Sequence, residues 1–496
     1  MPYDLLVVGG GIQGAAVARD AALRGIRVLL LERGDLAGGT SSRSSKLIHG
    51  GIRYLETGQF RLVRESLRER ALLLRLAPEF VRPLPFLIPH YRGEGRSRLA
   101  VRTGLAVYAA FAGRHALAAH GQVGAPEALT LEPSLRQEGL LGASLYWDAQ
   151  MDDALLCVAV AADAERAGAS VRTYTRVESL AAEGQRWRAR FRGVDIGAVQ
   201  EAEARCVVNA AGPWVEEIRS LAELSPRAGL RRTRGAHIVM PALTRARALL
   251  LSARRDGRVF FVLPWGECSL VGTTDVDDDV APDRVVARAE DIRYLLEETS
   301  RALPNAARGS RPLRAFAGLR SLAQGNAILP WANSREHRIL EEGTMLTLIG
   351  GKYTTHRSLA ERVVDRVARL AEVRAGPCMT AATPLPGRAH AIADLERRYP
   401  GRLKAADTLE VSEAEVVHAV QSEHAKHLED VLERRTRLWL SAEAMRRAAG
   451  PVAAWMAPHL GWDETTRARE VERVMSALER EREVIDAALE TPAVPA

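Results

Sequence analysis

Cysteine is scarce in this chain. The four cysteines, Cys157, Cys206, Cys268 and Cys378, stand far apart and none forms a C-x-x-C pair. That excludes a disulfide framework and a zinc site, and it suits a reducing cytoplasm. Long apolar runs are also missing. None approaches the ~20 residues that a membrane-spanning helix needs. The N-terminus has no basic stretch, and its apolar residues end in glycine as a strand would, so no signal peptide is expected. No DNA- or RNA-binding motif, repeat or low-complexity tract occurs, so nucleic acid is not an expected partner. What remains is a chain of 496 residues, long enough for more than one domain, with a formal charge of +7 that favours anionic partners. A general preference for Arg over Lys accounts for part of that charge.

The most informative positive feature is the first 32 residues. Tyr3 to Val8 read as a buried strand. Gly9, Gly11 and Gly14 then give G-x-G-x-x-G where a strand should turn into a helix, and Glu32 closes the next strand 18 positions beyond Gly14. In this context the pattern is a dinucleotide fingerprint. Gly9 allows the tight turn, Gly11 lets backbone approach a pyrophosphate, and Gly14 lets helix and strand pack closely. The helix N-terminus offers N–H groups to phosphate. Glu32 can accept from a ribose diol and disfavours a 2′-phosphate.

Two later segments repeat the grammar of strand, glycine and helix. One is Cys206-Val-Val-Asn-Ala-Ala-Gly-Pro-Trp214. The other is Met345-Leu-Thr-Leu-Ile-Gly-Gly-Lys-Tyr353, leading into a helix from about Thr355 to Ala371. A nicotinamide domain is usually continuous, so three dispersed segments favour a flavin domain interrupted by insertions. The expected fold is α/β. A discontinuous Rossmann-like FAD-binding domain covers 1–84, 146–224 and 315–380, and a β-rich substrate cap covers 85–145 and 225–314. Pro384, Pro386 and Gly387 mark a linker to an all-helical C-terminal domain over 385–496. There Ser412 and Glu415 form a capping-box signature ahead of an amphipathic stretch through Leu440, and a further helix runs from about Asp463 to Leu489.

After Glu32 comes Thr40-Ser-Ser-Arg-Ser-Ser-Lys-Leu-Ile-His-Gly-Gly-Ile-Arg-Tyr54, dense in hydroxyls and glycine and carrying Lys46, His49, Arg53 and Tyr54. Such donors suit phosphate and flavin contacts. With this block in view, the chain resembles the FAD-dependent, quinone-linked (aerobic) glycerol-3-phosphate dehydrogenase family. The matching stretches are GGGIQGAAVARDAALRG, TSSRSSKLIHGGIRYLE, YWDAQMDDALL, NAAGPW, RGAHIV, VLPW, GTTD, GGKYTTHR and LEDVLERRTRLWL, in family order. Residues 85–130 and parts of the C-terminal region match less closely. The calcium-binding extension of mitochondrial members and the long insertion of the related oxidases are not seen.

The resemblance implies oxidation of sn-glycerol 3-phosphate to dihydroxyacetone phosphate by hydride transfer to flavin N5. Electrons then pass to ubiquinone or a related quinone. The cofactor set it implies is Gly9, Gly11, Gly14, Glu32, Arg33, Thr40, Ser41, Ser42, Ser44, Ser45, Lys46, His49, Val177, Ala211, Gly212, Gly351, Lys352 and Thr354. A phosphate dianion and a developing C2 alkoxide both require positive charge. The candidates are Arg53, Arg320, Arg335 and Lys352, with Tyr54 and Thr355 beside them. Arg320 lies in Phe-Ala-Gly-Leu-Arg, where the family motif continues with Pro and this chain has Ser321. His49 and His237 are the candidate proton acceptors, and Arg320 completes the catalytic set. Asp275 in Gly-Thr-Thr-Asp either orients a loop or makes a simple turn.

His418, His424 and His427 fall on one expected helix and read as a solvated face, with no metal site assigned. Residues 96–114 mix apolar and basic side chains. They read either as a core-packed cap helix or as a segment lying in a membrane interface. The resemblance favours the interface, and with it a cytoplasmic protein peripheral on the inner face of the membrane. The helical C-terminal region offers a homodimer surface. Two rival readings stand beside this one: a flavin oxidase of an amine or 2-hydroxy acid on the same scaffold, and a non-catalytic flavin-binding membrane-associated protein.

Overall fold

The computed structural model describes residues 2–194, 197–225, 230–323, 337–398 and 410–490. Tyr3–Val8 is an almost uninterrupted apolar run, and it forms a strand buried from Leu5 to Val8. Such a strand needs cover on both faces, which parallel sheets provide. It pairs in parallel with Val28–Leu31 on one side and Val199–Asn209 on the other, Val8 lying opposite both Leu31 and Asn209. Met345–Ile349 and Ser170–Arg172 extend the parallel core outward. Antiparallel strands Thr175–Glu183, Arg186–Gly193 and Arg338–Glu342 complete this first sheet. Helices Ile12–Leu23, Asp153–Arg166 and His356–Leu370 pack over one face. His356–Leu370 points Leu359, Val363 and Val367 inward at helical spacing.

A second sheet of ten strands holds Leu47–Ile48, Val81–Tyr91, Gly121–Gly124, Leu140–Met151 and the strands between Leu230 and Ala323. The two sheets interleave in sequence. Residues 146–151 and 315–323, expected in the nucleotide domain, belong to the second sheet. Leu140–Met151 runs antiparallel to Val81–Tyr91 from Tyr91 back to Val81, and Arg314–Ala323 pairs residue for residue with Leu230–Pro241. Leu47–Ile48 of the serine-rich block likewise joins the second sheet, through Leu140–Met151.

The C-terminal region is helical, with Glu413–Ser422, Leu428–Arg434, Ala442–Leu460 and Glu464–Glu490 around a core that includes Val416, Val431, Val452 and Leu478. The expected stretch through Leu440 is broken. His424 takes a left-handed φ of 60°, and Asp430 captures the backbone N–H groups of Lys426 and His427, starting a new helix. The three histidines therefore share no helix face. Each meets a carboxylate instead: His418 with Glu423, His424 with Glu165 and His427 with Glu470. Residues 98–112 form a helix that buries Leu105, Tyr108 and Ala112 while Leu99 stays 71% exposed. Among the described residues, no helix is long and apolar enough to cross a membrane.

Candidate active site

An elongated cavity of about 730 Å³ runs along the C-terminal ends of the parallel strands and under the second sheet. This is the edge where open α/β sheets bind ligands. The glycine fingerprint forms its floor. Gly9 has φ 112°, and a Cβ there would stand 2.7 Å from the Ala210 carbonyl oxygen. A Cβ on Gly14 would lie 1.9 Å from the Gly9 oxygen, so only glycine permits this strand–helix approach. Gly11 caps the helix without a side chain. Ser41 Oγ accepts from the Ile12 N–H at 2.9 Å, tying the serine-rich block to the helix start.

Glu32 is half-buried, and its carboxylate accepts from the Gly10 N–H at 2.6 Å and the Gly34 N–H at 2.8 Å. Burial raises its pKa, and those two bonds oppose the rise. The Arg33 guanidinium lies 4.3 Å over the Trp214 ring. Thr40, Ser44, Ser45, Val177, Ala211, Gly212, Gly351 and Thr354 also line the cavity. Ser42 and Lys46 do not. Ser42 Oγ donates to the Gly39 carbonyl within the turn, and Lys46 is paired with Asp153 and sits 4.3 Å from the Trp439 ring. Those two act on the shape of the block from behind.

A second chamber of about 270 Å³ adjoins the first, sharing Ser45, Leu47, His49 and Tyr54 with it. The expected cations gather at this junction. Lys352 Nζ donates to Ser66 Oγ at 3.0 Å and lies 4.4 Å from the Tyr54 ring, and the Arg53 guanidinium is 6.0 Å from the same ring. Arg320 reaches the junction from the second sheet, donating to Asp275 at 3.0 Å and to Thr273 Oγ1 at 2.9 Å. Asp275 is thus the orienting partner of Arg320 rather than part of a simple turn. Thr355 is buried, its hydroxyl donating to the Lys352 carbonyl at 3.4 Å. Arg335 lies outside the described residues.

The two imidazoles are placed differently. His49 lines both chambers, its backbone held by Thr354 Oγ1. His237 is 1% exposed, stacks on Phe316 and touches Ser45 Oγ through Nε2 at 2.9 Å, so Ser45 stands between it and the cavity. Burial, and then the charges of Arg320 and Lys46, hold His237 well below the usual histidine range. It is neutral at working pH.

Several lining residues escaped the sequence reading. Gln13 Nε2 donates to the Gly350 carbonyl at 2.6 Å, joining the first and third glycine segments. Arg434 and Glu429 reach the cavity from the helical domain, and Asp283 reaches it from the cap. Trp214, quoted only as part of a motif, has an enclosed indole N–H with no protein acceptor. An elongated cavity of this volume suits a dinucleotide. The glycine floor, which lets the backbone at the helix start approach a pyrophosphate, fits FAD.

Comparisons with known proteins agree. Residues 4–357 match the FAD dependent oxidoreductase family, and residues 378–467 match the C-terminal domain of alpha-glycerophosphate oxidase. A glycerol-3-phosphate dehydrogenase 2 of Mycobacterium tuberculosis is 35% identical over 97% of this chain and 88% of its own. The chain belongs to the FAD-dependent glycerol-3-phosphate dehydrogenase family. Its cofactor is FAD. A D-erythritol 1-phosphate dehydrogenase of Brucella abortus is 37% identical over 90% of this chain and 96% of its own. The structure of a glycerol-3-phosphate dehydrogenase from Bacillus halodurans complexed with FAD superposes with a TM-score of 0.78 at 26% identity, covering 99% of this chain and 97% of that one. Family membership accounts for the interleaved sheets and for the helical domain that follows them.

Proposed function

We propose that this chain oxidises sn-glycerol 3-phosphate to dihydroxyacetone phosphate and passes the electrons to a quinone at a membrane surface. The observation that carries the reading is the cationic lining of the two adjoining chambers: Lys352 and Arg320 border the larger, Arg53 the smaller, and Tyr54 and His49 both. Both curated relatives act, by name, on a polyol monophosphate. Bound FAD supplies the two-electron acceptor for the hydride that leaves C2. Arg53 and Lys352 hold the phosphate dianion, with the Tyr54 ring fixing the Lys352 ammonium. Arg320, oriented by Asp275 and Thr273, stabilises negative charge growing on the C2 oxygen. The C2 hydroxyl proton goes to His49, which borders both chambers. His237, neutral and joined to Ser45, is a second acceptor one hydroxyl away. Membrane contact fits the exposed Phe60 and Leu99, which sit among exposed Arg61, Arg64 and Arg102. The helical C-terminal region is the proposed homodimer surface.

The test is anaerobic titration of the oxidised flavin band with glycerol 3-phosphate. Bleaching is expected. Arg320→Ala weakens substrate binding, and His49→Ala slows bleaching by about 10²-fold or more. A band that persists with excess substrate overturns the reading, and bleaching by glycine or a 2-hydroxy acid instead assigns the chain to the oxidases. Ubiquinone-1 reoxidising the reduced flavin faster than O₂ does supports the acceptor, and the reverse order removes it.

A further inference from the structure

The loop that carries His49 is braced by a buried cluster that the proposed chemistry does not use. Leu47 pairs with Gln150 and Ile48 with Ala149, so the antiparallel register places Asp148 opposite His49, where the ladder stops. The Asp148 side chain takes over there. Its Oδ1 accepts from the Gly50 N–H at 3.2 Å. Arg70 donates to the same oxygen at 2.6 Å, and the Tyr108 hydroxyl reaches Oδ1 at 2.8 Å and Oδ2 at 2.9 Å. Three donors converge on the group, which suits a carboxylate. Arg70 is itself anchored, donating to the Trp147 carbonyl at 3.1 Å and the His115 carbonyl at 3.0 Å. Arg70, Tyr108 and Asp148 are all buried. A buried ion pair is weak evidence for stability, because desolvation offsets its attraction. What this one delivers is an acceptor fixed in place.

Gly50 has no room to shift toward this cluster, since a Cβ there would run into the Tyr108 hydroxyl and Leu67. Gly51 follows with φ 78°, and its missing side chain leaves space for the Tyr54 ring and Lys352 Nζ. Thr354 Oγ1 holds His49 itself, accepting from its N–H at 3.2 Å and donating to its carbonyl at 3.3 Å. The backbone from His49 to Gly51 is thus pinned at Thr354 and at Asp148. The geometry points to Asp148 as a positioning residue for the reaction: it sets the His49 imidazole against the carbinol proton, and Tyr108 and Arg70 fix Asp148 in turn. The inference rests on the role of His49 proposed above. Proton transfer needs the imidazole within hydrogen-bond reach of the hydroxyl. A misplacement of about 1 Å costs on the order of 10²-fold in rate. Lys352 is held separately, by Ser66 at 3.0 Å, so phosphate binding survives and the loss falls on the chemical step.

The test compares Tyr108→Phe and Asp148→Asn, each alone and each combined with His49→Ala, in the FAD-loaded protein. Tyr108→Phe keeps the ring and removes the hydroxyl. It should slow anaerobic bleaching at saturating glycerol 3-phosphate by about 10-fold, with the half-saturating concentration within about twofold of wild type. Asp148→Asn should slow it by about 10²-fold. Neither should slow His49→Ala further by more than about twofold, because the base they position is gone. Hydrogen exchange over residues 47–55 should quicken in both variants and stay unchanged over His356–Leu370. Full additional slowing in the His49→Ala background overturns the inference, as does a raised half-saturation at unchanged maximal rate. Where Asp148→Asn does not fold, Tyr108→Phe decides alone, and wild-type bleaching and exchange in that variant overturn the inference. These outcomes leave the proposed function standing when His49→Ala is itself slow. A His49→Ala protein that bleaches at the wild-type rate removes the base from the proposed function, and the inference falls with it.

Discussion

Asp35 and Arg435 meet in a two-pronged ion pair, with both guanidinium–carboxylate distances at 2.7 Å and both residues buried. Arg434 adds a third contact to the same carboxylate at 2.5 Å. Burial alone would raise the Asp35 pKa, but the two guanidinium charges outweigh it and hold the carboxylate below its ordinary range. This cluster fastens the helical domain to the loop after Val28–Leu31, beside the FAD cavity that Arg434 also lines. Removing one partner of a buried pair strands the other charge, at a cost of about 3–5 kcal/mol. Asp35→Ala should therefore loosen the helical domain and release FAD. Denaturant titration and limited proteolysis between residues 385 and 440 measure this. Unchanged midpoint and cleavage would show that the cluster fastens nothing.

Lys46 illustrates a different role from the one its position in the block suggests. It has φ 52°, pairs with the fully buried Asp153 at the start of helix Asp153–Arg166, and lies against Trp439 of the helical domain. Asp153 also accepts from the Ser44 N–H at 3.1 Å and its hydroxyl at 2.7 Å. Lys46→Met should cost about 3–5 kcal/mol by leaving that carboxylate unpaired. Bound FAD should fall with it. Retained flavin content and an unmoved unfolding midpoint would contradict this account.

The nucleotide cradle was legible because its glycines are dictated locally, by a turn at Gly9 and a close approach at Gly14. The cations of the junction were legible as candidates through motif context, Lys352 being one of only four lysines in the chain. Other features arise only on folding. Asp35 and Arg435 are 400 positions apart, and no local pattern connects them. Leu140–Met151 and Arg314–Ala323 carry no mark of which sheet they join, because each is apolar enough for either. Placing His237 behind Ser45 depends on the strand register of His237 with Gly272, whose missing side chain leaves room for the imidazole. The break at His424 depends on Asp430, six residues later, capturing backbone N–H groups that a continuous helix would have used.

Trp214 offers a direct readout of cofactor binding. Its ring borders the cavity and Arg33 covers it. Trp214→Phe shrinks that ring and weakens the hold on the Arg33 guanidinium, so FAD affinity should fall about 2- to 5-fold. Reconstitution of apoprotein followed by tryptophan fluorescence tests this, since the wild type should show a quench that the variant partly lacks. Equal affinity and equal quench would place the indole outside contact with the cofactor.

His356 gives the site an acid limit. It opens helix His356–Leu370, is 3% exposed, and its Nδ1 lies 2.8 Å from the Tyr353 carbonyl in the turn that carries Lys352 and Thr354. Burial drives its pKa from 6.5 down to about 4, against the pull of that carbonyl. Between pH 4 and 6.5 the unfolded chain therefore binds a proton that the folded chain refuses. The stability held by the neutral imidazole is complete above pH 6.5 and is lost as pH falls toward 4, amounting to about 3 kcal/mol over the whole window. By pH 5 roughly 2 kcal/mol of it should be gone. His356→Asn retains a donor for the Tyr353 carbonyl and cannot be protonated, so its unfolding free energy should fall less between pH 7.5 and 5.0 than that of the wild type, by about that amount. Because the same turn holds Lys352, glycerol 3-phosphate binding should weaken in acid in the wild type and hold steadier in the variant. Parallel pH dependence in the two proteins would remove His356 as the source of the acid limit.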